Sequence, residues 1–400
     1  MLRPVILGPV HLHGLKKYLS TETLASPFPA GMGGYSINSL IEARLLHGWK
    51  TDVVTLDPNV KDDITRMVGP LLRIWVVRRR KSGAVRDLFA AEQRLMMAAV
   101  AEAKPDLIHA NWTYEYGLTA VRQSSYPYLL TVRDHSLHCL RWLGWRYLPL
   151  YLITEYVLRR SRHLTAVSPY IGSYLEQKLH RPVQFVPNLL AKFALELVQV
   201  GRLAQCESHS ASGTFRIVSA VNWSDLKNVR NALRAFRRAR RMCHKQAVNL
   251  NYTLIGPGLE QGGPAETWAL RHNCTQGVIF KGSVTHEDAL REIATANVLF
   301  HPSHEESVGG PILEAMTMRV PVVACWEAGG SRWLCGNDRG LLCDGHDPGD
   351  MATQIVEACI HQRADRCAAA YDWLAGLASD DKVLDALMLA YTKACSTCDC

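Results

Sequence analysis

The sequence predicts an α/β fold made of two Rossmann-like, doubly wound parallel-sheet domains that face a cleft. Short runs rich in Val, Ile and Leu alternate with amphipathic helical segments along the 400 residues, which is typical of βαβ units. The alternation stops near Asn188 and restarts at Phe215, so we expect the same architecture twice. Ligands of such sheets bind at the carboxyl ends of the strands.

The alternation predicts each element in order. A first buried strand opens the chain within residues 1–10, and helices are expected over residues 35–48 and 170–180. The further strands of the first half are expected at residues 51–56, 106–110, 128–132 and 163–168. Those of the second half are expected at residues 215–221, 251–256, 277–282, 297–303, 320–325 and 340–344.

The break between the two series predicts the domain boundary. Residues 188–214 end in a polar, Ser-rich stretch that is typical of a linker. We therefore expect an N-terminal domain over residues 1–190, completed by helices within 370–400, and a C-terminal domain over residues 191–369.

Composition and charge narrow the class of protein. Hydrophobic residues make up 48% and charged residues 20%, which is enough for a buried core. The net charge of +8 is too diffuse for a dedicated nucleic-acid binder but suits anionic ligands or lipid. The chain shows neither a secretion signal nor a run of about 20 apolar residues. We expect a cytoplasmic protein, with peripheral contact at the inner face of the membrane as an option.

The twelve cysteines predict reduced thiols rather than a disulfide framework. Cys395, Cys398 and Cys400 lie in the final six residues, where one CxxC without a second pair is weak evidence for zinc. We favour an inert, frayed tail and predict no metal site.

The stretch HPSHEESVGGPILEAM, residues 301–316, predicts a ligand site. It places Glu306 in a loop after a strand and Glu314 in the first turns of a helix. Free amides of that turn, Gly310 and Ile312 among them, form an anion site, and Pro311 suits a first helical turn. A carboxylate at Glu314 can accept both hydroxyls of a ribose diol, and Glu306 can face a second polyol. The alternative is that both acids are solvated and stabilise a helix N-terminus.

Two further segments indicate phosphate contacts. Gly31, Gly33 and Gly34 lie between a strand and a helix, where glycine lets the backbone approach a phosphate closely. Their G-x-G-G spacing differs from the dinucleotide fingerprint, and a flexible surface loop is the alternative. Lys227 follows a strand at a helix start, where it can neutralise a diphosphate as a point charge or be an ordinary exposed lysine.

Polar residues after two first-half strands are expected to face the cleft. His109 follows one strand and can transfer protons, although structural histidines are common. Arg133, His135 and His138 follow the next strand. The two histidines lack a carboxylate partner, so they are a poor metal signal.

Three basic or aromatic clusters could contact anionic lipid: residues 73–82, 139–152 and 234–245. Solvated helix faces are the alternative, which we favour for the last cluster.

The stretch from residue 301 to 334 resembles the donor-site segment of GT-B glycosyltransferases of family 4, also called glycosyl transferases group 1. The resemblance covers most of the chain, because similar segments occur in the same order around the glycine loop, His109, Arg133, Lys227 and residues 278–284. It implies a GT-B fold.

The resemblance also implies a role for each matching residue. Glu306 would contact hydroxyls of the donor sugar, Glu314 the nucleotide ribose and Lys227 the donor diphosphate. Backbone around Phe280 would read the base. The remaining phosphate and acceptor contacts would come from the amides after Gly309, including Gly310, and from the loop at Gly33 and Gly34. The family retains the anomeric configuration and needs neither a metal nor a cofactor.

Some positions depart from the family pattern. Asn222 stands where the family usually has an arginine, so one phosphate cation is missing unless Arg332 or Arg133 replaces it. Arg133 itself replaces the histidine of T-x-H-D. Arg319 replaces a usual glycine, and Pro311 removes one amide from the phosphate loop.

These observations predict a retaining glycosyltransferase that moves a sugar from a nucleotide-diphosphate donor to a glycan or lipid-linked acceptor, in cell-surface polysaccharide biosynthesis. The residues assigned to catalysis are His109, Glu306 and Arg133, with Asn222 included in the donor site. Two alternatives stay open: a nucleotide-sugar-binding GT-B protein without transfer activity, and a GT-B nucleotide-sugar epimerase.

Overall fold

A computed structural model describes residues 2–122, 125–199, 213–244, 248–361 and 363–396. The chain divides into two compact units, Met1–Leu189 with Ala378–Cys400, and Leu190–Leu377. Each unit contains one predominantly or wholly parallel sheet with helices between its strands. The predicted α/β fold with two parallel-sheet domains is therefore confirmed.

The first unit contains an eight-stranded sheet in the order β3-β4-β2-β1-β5-β6-β7-β8. All neighbours are parallel except β3 and β4, which form an antiparallel edge. Its strands are β1 (Pro4–Leu7), β2 (Thr51–Asp57), β3 (Ile64–Val68), β4 (Leu72–Arg78), β5 (Leu107–Asn111), β6 (Tyr128–Val132), β7 (Leu164–Ala166) and β8 (Gln184–Phe185).

The second unit contains a six-stranded, fully parallel sheet in the order β11-β10-β9-β12-β13-β14. Its strands are β9 (Thr214–Ala220), β10 (Asn249–Ile255), β11 (Val278–Gly282), β12 (Val298–His301), β13 (Val322–Cys325) and β14 (Leu341–Cys343). Every strand predicted from the sequence has a counterpart here or in the first sheet.

Helices connect the strands in both units. They are α1 (Leu12–Leu15), α2 (Tyr35–Leu46), α3 (Ala90–Ala103), α4 (Glu115–Arg122), α5 (Ser136–Leu143), α6 (Leu148–Arg160), α7 (Pro169–Leu179), α8 (Lys192–Gln199), α9 (Val229–His244), α10 (Pro264–Arg271), α11 (His286–Ala294), α12 (Gly310–Thr317), α13 (Gly329–Cys335), α14 (Pro348–His361), α15 (Ala364–Leu377) and α16 (Asp380–Ser396). Four short 3-10 helices lie at Lys16–Tyr18, Thr21–Thr23, Ala84–Asp87 and Trp145–Tyr147.

The central strands are buried on both faces, which explains their continuous apolar runs. All residues of β2 and β5 are buried, and so are those of β12 and β13. Parallel strands covered by helices on both faces leave only their ends for polar chemistry. Functional side chains are therefore expected directly after the strands.

The basic cluster at residues 73–82, which could contact anionic lipid, lies mostly within the first sheet. Most of this segment is strand β4, an interior strand between β3 and β2. Arg73 binds the buried carboxylate of Asp52 through two contacts of 2.7 Å. Arg80 likewise binds Glu92, so the charges of these two arginines are paired within the unit.

The domain boundary at the C-terminal end differs from the expected residue 370. Helix α15 stays with the second unit because Arg319 lies 4.6 Å from the ring centroid of Tyr371, and Arg339 lies 3.8 Å from that of Trp373. The segment that joins the first unit begins at Ala378 and contains α16.

Two sequence predictions fall partly on residues that the structure does not describe. The first part of the 188–214 segment contains α8, whereas residues 200–212 of the predicted linker lie outside the described residues. The cysteines that the structure describes are free thiols, and Cys398 and Cys400 lie outside it. No helix in the described part of the chain is long and apolar enough to cross a membrane.

Candidate functional site

The predicted strand, glycine turn and helix around the two glutamates are present in the second unit. Strand β12 ends at His301, and α12 begins at Gly310. Gly309 adopts φ 90°, a left-handed conformation that favours glycine. One detail was wrong, since the Ile312 amide is not free but donates to the Gly309 carbonyl oxygen over 3.0 Å. Any phosphate contact must then rely on amides before Pro311.

Glu306 lies at the centre of a charge cluster. Its Oε1 accepts a short hydrogen bond from Lys227 Nζ and lies 2.8 Å from His301 Nε2. Lys227 follows β9, the strand adjacent to β12, so both groups come from the carboxyl ends of neighbouring strands. The side chains of Lys227 and Glu306 are only 20% and 13% exposed. Sequence analysis predicted both residues but not His301.

The cluster keeps Glu306 ionised. Burial by itself raises the pKa of a carboxyl, but the positive charge of Lys227 and the contacts of His301 outweigh it. The pKa of Glu306 therefore lies well below its usual range. A carboxylate held in this state accepts hydrogen bonds and does not act as a general acid near neutral pH.

Glu314 has a partner that sequence analysis missed. It lies in α12, and its Oε1 is 2.6 Å from Nε2 of His286, the first residue of α11. Both side chains are largely buried, at 15% and 20% exposure. The contact orients the carboxylate, and its sequence signal is weak because 28 residues separate the pair.

Gly330 binds the backbone of the loop that carries Glu306. Its amide donates to the Glu306 carbonyl oxygen over 2.8 Å. A Cβ built on Gly330 would lie 2.5 Å from the carbonyl carbon of Ser307 and 2.6 Å from the Val308 nitrogen. Glycine is therefore required at the start of α13 for this close approach.

The remaining predicted donor-site residues are exposed or half-buried. Asn222 follows β9 and is exposed, and its Oδ1 accepts a hydrogen bond from Ser224 Oγ over 2.8 Å. Its neutral amide does not replace the charge of the arginine that the family usually has here. Arg332, expected as a replacement cation, is exposed with its guanidinium 5.9 Å from the Trp326 ring centroid. Phe280 is half-buried in β11 and packs on the core of the second unit.

In the first unit, the glycine loop has the predicted position between β1 and α2. Gly33 and Gly34 adopt φ values of 86° and 95°, and Gly34 is the N-cap of α2. A Cβ on Gly34 would lie 2.0 Å from the Pro9 carbonyl oxygen, whereas one on Gly33 would meet nothing within 4 Å. Gly33 is therefore the position with room beside it.

His109 is a structural histidine, which corrects its assignment to catalysis. The residue is 1% exposed, and its ring nitrogens lie 2.8 Å from Thr131 Oγ1 and 2.8 Å from the Tyr391 hydroxyl. Burial, followed by the positive charges of Arg133 and Arg44, lowers its pKa to about 3. A neutral imidazole with both nitrogens occupied cannot exchange protons with a substrate.

Arg133, the other first-unit residue assigned to catalysis, directly follows β6, and its guanidinium donates to oxygens of three protein side chains. Nε and Nη2 donate to Asn111 Oδ1, while Nη1 donates to Ser36 Oγ and Asn188 Oδ1. The hydrogen-bond acceptors of Arg133 are uncharged, while the charge of the adjacent Asp134 also acts on the guanidinium.

His135 and His138 belong to an aromatic cluster. Their rings stack with centroids 4.0 Å apart, and Tyr170 OH lies 2.9 Å from His138 Nδ1. Among the residues that the structure describes, no group of three or more His, Cys, Asp and Glu side chains could hold a metal ion.

Two family models match consecutive parts of the chain. Residues 31–188 match the glycosyl transferase 4-like domain, and residues 213–360 match glycosyl transferases group 1. Together the two matches cover most of both units. The chain belongs to the GT-B glycosyltransferases of group 1. The resemblance in sequence is thus confirmed at the level of the family.

Individual relatives are more distant. The D-inositol 3-phosphate glycosyltransferase of Mycolicibacterium vanbaalenii is 32% identical over 120 residues, which are 30% of this chain. The match spans 26% of that relative's length.

Solved structures resemble the whole chain. Sucrose-phosphate synthase from Thermosynechococcus elongatus has a TM-score of 0.73 at 20% identity, with 98% of both chains covered. Anabaena HepE in complex with UDP-glucose has a TM-score of 0.68 at 15% identity, with coverage of 98% of this chain and 100% of HepE. At these identities, the likeness shows the GT-B fold.

Replacing Gly330 with alanine should destabilise the second unit by about 1–3 kcal/mol, because the added Cβ overlaps backbone of the glutamate loop. Urea unfolding measures this loss. Gly376→Ala is the matched control, since a Cβ there meets nothing within 4 Å. The control should be neutral or gain up to about 1 kcal/mol in α15. Equal effects of the two substitutions would contradict the close approach.

The depressed pKa of Glu306 predicts a pH dependence of stability. Its ionisation stabilises the fold above about pH 4.3, the value in an unfolded chain, and this contribution is lost as the pH falls further. In Glu306→Gln, the slope of unfolding free energy against pH should drop by up to about 1.4 kcal/mol per pH unit below that value.

Urea titrations at several pH values measure this slope. Glu287→Gln, whose side chain is 64% exposed, should keep the wild-type slope. An unchanged slope in Glu306→Gln would show that the cluster does not hold Glu306 ionised.

Proposed function

We propose that the protein is a retaining glycosyltransferase that moves a hexosyl group from a nucleotide-diphosphate sugar to a glycan or lipid-linked acceptor. The cluster of Lys227, Glu306 and His301 beside the glycine turn supports this most directly. It combines a cation for a diphosphate with a carboxylate that is ionised near neutral pH and can accept from sugar hydroxyls, at the strand ends where such folds bind ligands.

The proposed donor contacts follow from charge. Lys227 binds the donor diphosphate as a point charge, in competition with Glu306. Amides at Gly309 and Gly310 lie at the positive end of α12 and add to the phosphate site. When the bond between the anomeric carbon and the phosphate oxygen breaks, negative charge grows on the leaving diphosphate, and these groups stabilise it.

The two glutamates hold different hydroxyls in this proposal. Glu306 accepts from the donor sugar, and Glu314, oriented by His286, accepts from the ribose diol. Backbone around Phe280 contacts the base. UDP-glucose is the first donor to test, because HepE was solved with that ligand.

The acceptor oxygen forms the new bond to the anomeric carbon. His109 is buried and both of its ring nitrogens have partners. We therefore propose that the proton of the acceptor hydroxyl passes to an oxygen of the departing diphosphate. Attack from the side of the leaving group is consistent with retention. The proposal requires no cofactor or metal besides the donor, and no nucleic acid.

The first unit would take the acceptor, in cell-surface polysaccharide biosynthesis at the inner face of the membrane. Exposed apolar side chains concentrate on α5, α6 and the turn between them, and Trp145 is 83% exposed. The set comprises Leu137, Leu143, Trp145, Leu152 and Tyr156, with exposed Arg141, Arg146, Arg159 and Arg160 beside them. Apolar residues flanked by arginines suit an anionic lipid surface.

The cluster at residues 234–245 fits lipid less well. In α9, Arg237 and Arg240 donate to the carbonyl oxygens of His272 and Gln276, and Arg234 lies 5.2 Å from the Trp268 ring centroid. These contacts within the unit support the interpretation as a solvated helix face. Residues 245–247 lie outside the described residues.

Lys227→Gln and Glu306→Gln should each weaken binding of a nucleotide-diphosphate sugar, because each removes a charged hydrogen-bonding group. The expected loss is about 1.5–3 kcal/mol, or roughly ten- to hundredfold in Kd. Calorimetry and initial rates with UDP-, GDP- and ADP-sugars provide the measurement.

Arg363→Gln is the control, since this exposed arginine pairs with Asp365 outside the cluster. Near wild-type binding and turnover in both site variants would overturn the assignment. Donor binding without product would support the inactive alternative, and a changed donor sugar without acceptor would support an epimerase.

Trp145→Ser combined with Leu152→Ser should reduce sedimentation with phosphatidylglycerol vesicles several-fold, because it removes the two most exposed apolar side chains of α5, α6 and the turn between them. Binding by the wild type should weaken as salt rises. Leu270→Ser, an equally exposed leucine in α10 of the second unit, is the control. Wild-type protein that stays in the supernatant at low salt would refute membrane contact.

A further inference from the structure

Lys227 lies in the short connection between β9 and α9, which begins at Val229. Because a lysine side chain is long and flexible, its ammonium has a defined position only where the backbone is fixed. The Lys227 amide lies 3.2 Å from the Ser224 carbonyl oxygen and 3.3 Å from Ser224 Oγ. The Leu226 carbonyl oxygen accepts from the His304 amide over 2.9 Å. These bonds fix the chain up to Lys227.

Asn228 fixes the chain directly after Lys227. Its φ of 54° is a left-handed conformation that few residues other than glycine adopt, although asparagine tolerates it better than most. The residue is 6% exposed, and its Nδ2 donates to the Gly345 carbonyl oxygen over 2.8 Å. The chain therefore turns into α9 at a residue whose side chain is bonded to a separate loop.

Gly345 is itself firmly held. It follows β14, and its amide lies 3.0 and 3.1 Å from the two carboxyl oxygens of Glu327, which follows β13. A Cβ on Gly345 would be 3.0 Å from Glu327 Oε2 and 3.1 Å from Cys325 Sγ, so there is little room for a side chain. Asn231 adds a longer contact of 3.3 Å to the Gly345 carbonyl oxygen. Through this oxygen, Asn228 is connected to the ends of two further strands.

Capping of α9 does not explain the geometry of Asn228. An asparagine before a helix usually has an extended backbone, and its side-chain oxygen accepts from an amide of the first turn. Asn228 is left-handed instead, and its side-chain nitrogen donates away from the helix to Gly345. The residue is therefore shaped to hold the connection that carries Lys227.

We propose that Asn228 is a positioning residue for Lys227. Its left-handed turn and its bond to Gly345 direct the Lys227 ammonium towards Glu306, with which it forms a hydrogen bond, and towards the diphosphate of a bound donor. The contact with the diphosphate rests on the proposed function, whereas the contact with Glu306 does not. A neutral amide suits this role because it binds a carbonyl oxygen without competing with Glu306 for the ammonium.

A double-mutant cycle tests whether Asn228 acts through Lys227. The probe is whichever of UDP, GDP and ADP the intact wild-type chain binds most tightly in titration calorimetry. Asn228→Gly permits the left-handed backbone but removes the bond to Gly345. It should raise the Kd of the probe roughly three- to tenfold, the range of a weakened charge-assisted contact.

In a Lys227→Gln background, the same Asn228→Gly substitution should leave the Kd nearly unchanged, because no ammonium remains to be positioned. Equal losses of affinity in the two backgrounds would overturn the proposal. Asn273→Gly is the matched control, since Asn273 is an exposed asparagine with φ 53° that follows α10. The control should bind the probe as wild type does.

A second measurement needs no nucleotide and serves also where the double variant fails to fold. Burial raises the pKa of Glu306, but Lys227 and His301 outweigh it, so ionised Glu306 stabilises the fold above about pH 4.3. Below that value, the slope of unfolding free energy against pH should be smaller in Asn228→Gly, as in Lys227→Gln, and unchanged in Asn273→Gly. A wild-type slope in Asn228→Gly would refute the positioning of Lys227.

The two measurements separate this role of Asn228 from the proposed function. A smaller slope in Asn228→Gly, without binding of UDP, GDP or ADP by wild-type protein, supports the positioning of Lys227 and defeats the donor site. Nucleotide binding that is equally tight in wild type and Asn228→Gly defeats only the positioning role. Binding that Asn228→Gly weakens only when Lys227 is present supports both.

Discussion

The neutralisation of Glu306 by Lys227 and His301 is the interaction on which the second unit's site depends. A carboxylate with little exposure is stable only with charged and hydrogen-bonding partners. Here the partners come from the ends of the two adjacent strands β9 and β12. The register of the sheet thus sets the positions of these charges. The glycine turn and α12 directly follow the loop that carries Glu306. Gly330 matters for the same reason, since it lets α13 support the loop that carries Glu306.

The two units treat buried charge in different ways. In the second unit, the Lys227 ammonium and the Glu306 carboxylate bind each other. In the first unit, the guanidinium of Arg133 donates to uncharged oxygens of Asn111, Ser36 and Asn188, and the charge of the adjacent Asp134 also acts on it.

Sequence patterns predicted the sheets, the two-unit division and the glycine turn, and they placed Lys227, Glu306 and Glu314 after strands or in a helix. The binding roles given to those three residues stay predictions. The patterns succeed because strand periodicity and glycine requirements are local properties of a chain. They miss His301 and His286 because a histidine becomes a carboxylate partner only through contacts between separate elements.

His109 shows the opposite error. Its position after a strand favoured proton transfer, but Tyr391, 282 residues later, occupies one of its ring nitrogens. Strand β4 was missed for a related reason, since Arg73 within it and Arg80 just after it are neutralised by acids on other elements. In each case the deciding partner is distant in sequence.

The contact between Tyr391 and His109 can form only late in synthesis. Helix α16 belongs to the first unit, yet the ribosome makes it after the whole of the second unit. The second unit can complete its own sheet and core while the first still lacks the helix that covers β5 and β6. Until α16 docks, apolar residues such as Leu129 have no cover on that side. The first unit therefore cannot complete its fold until α16 has been synthesised. We expect chaperones to bind this unit more than the second during translation.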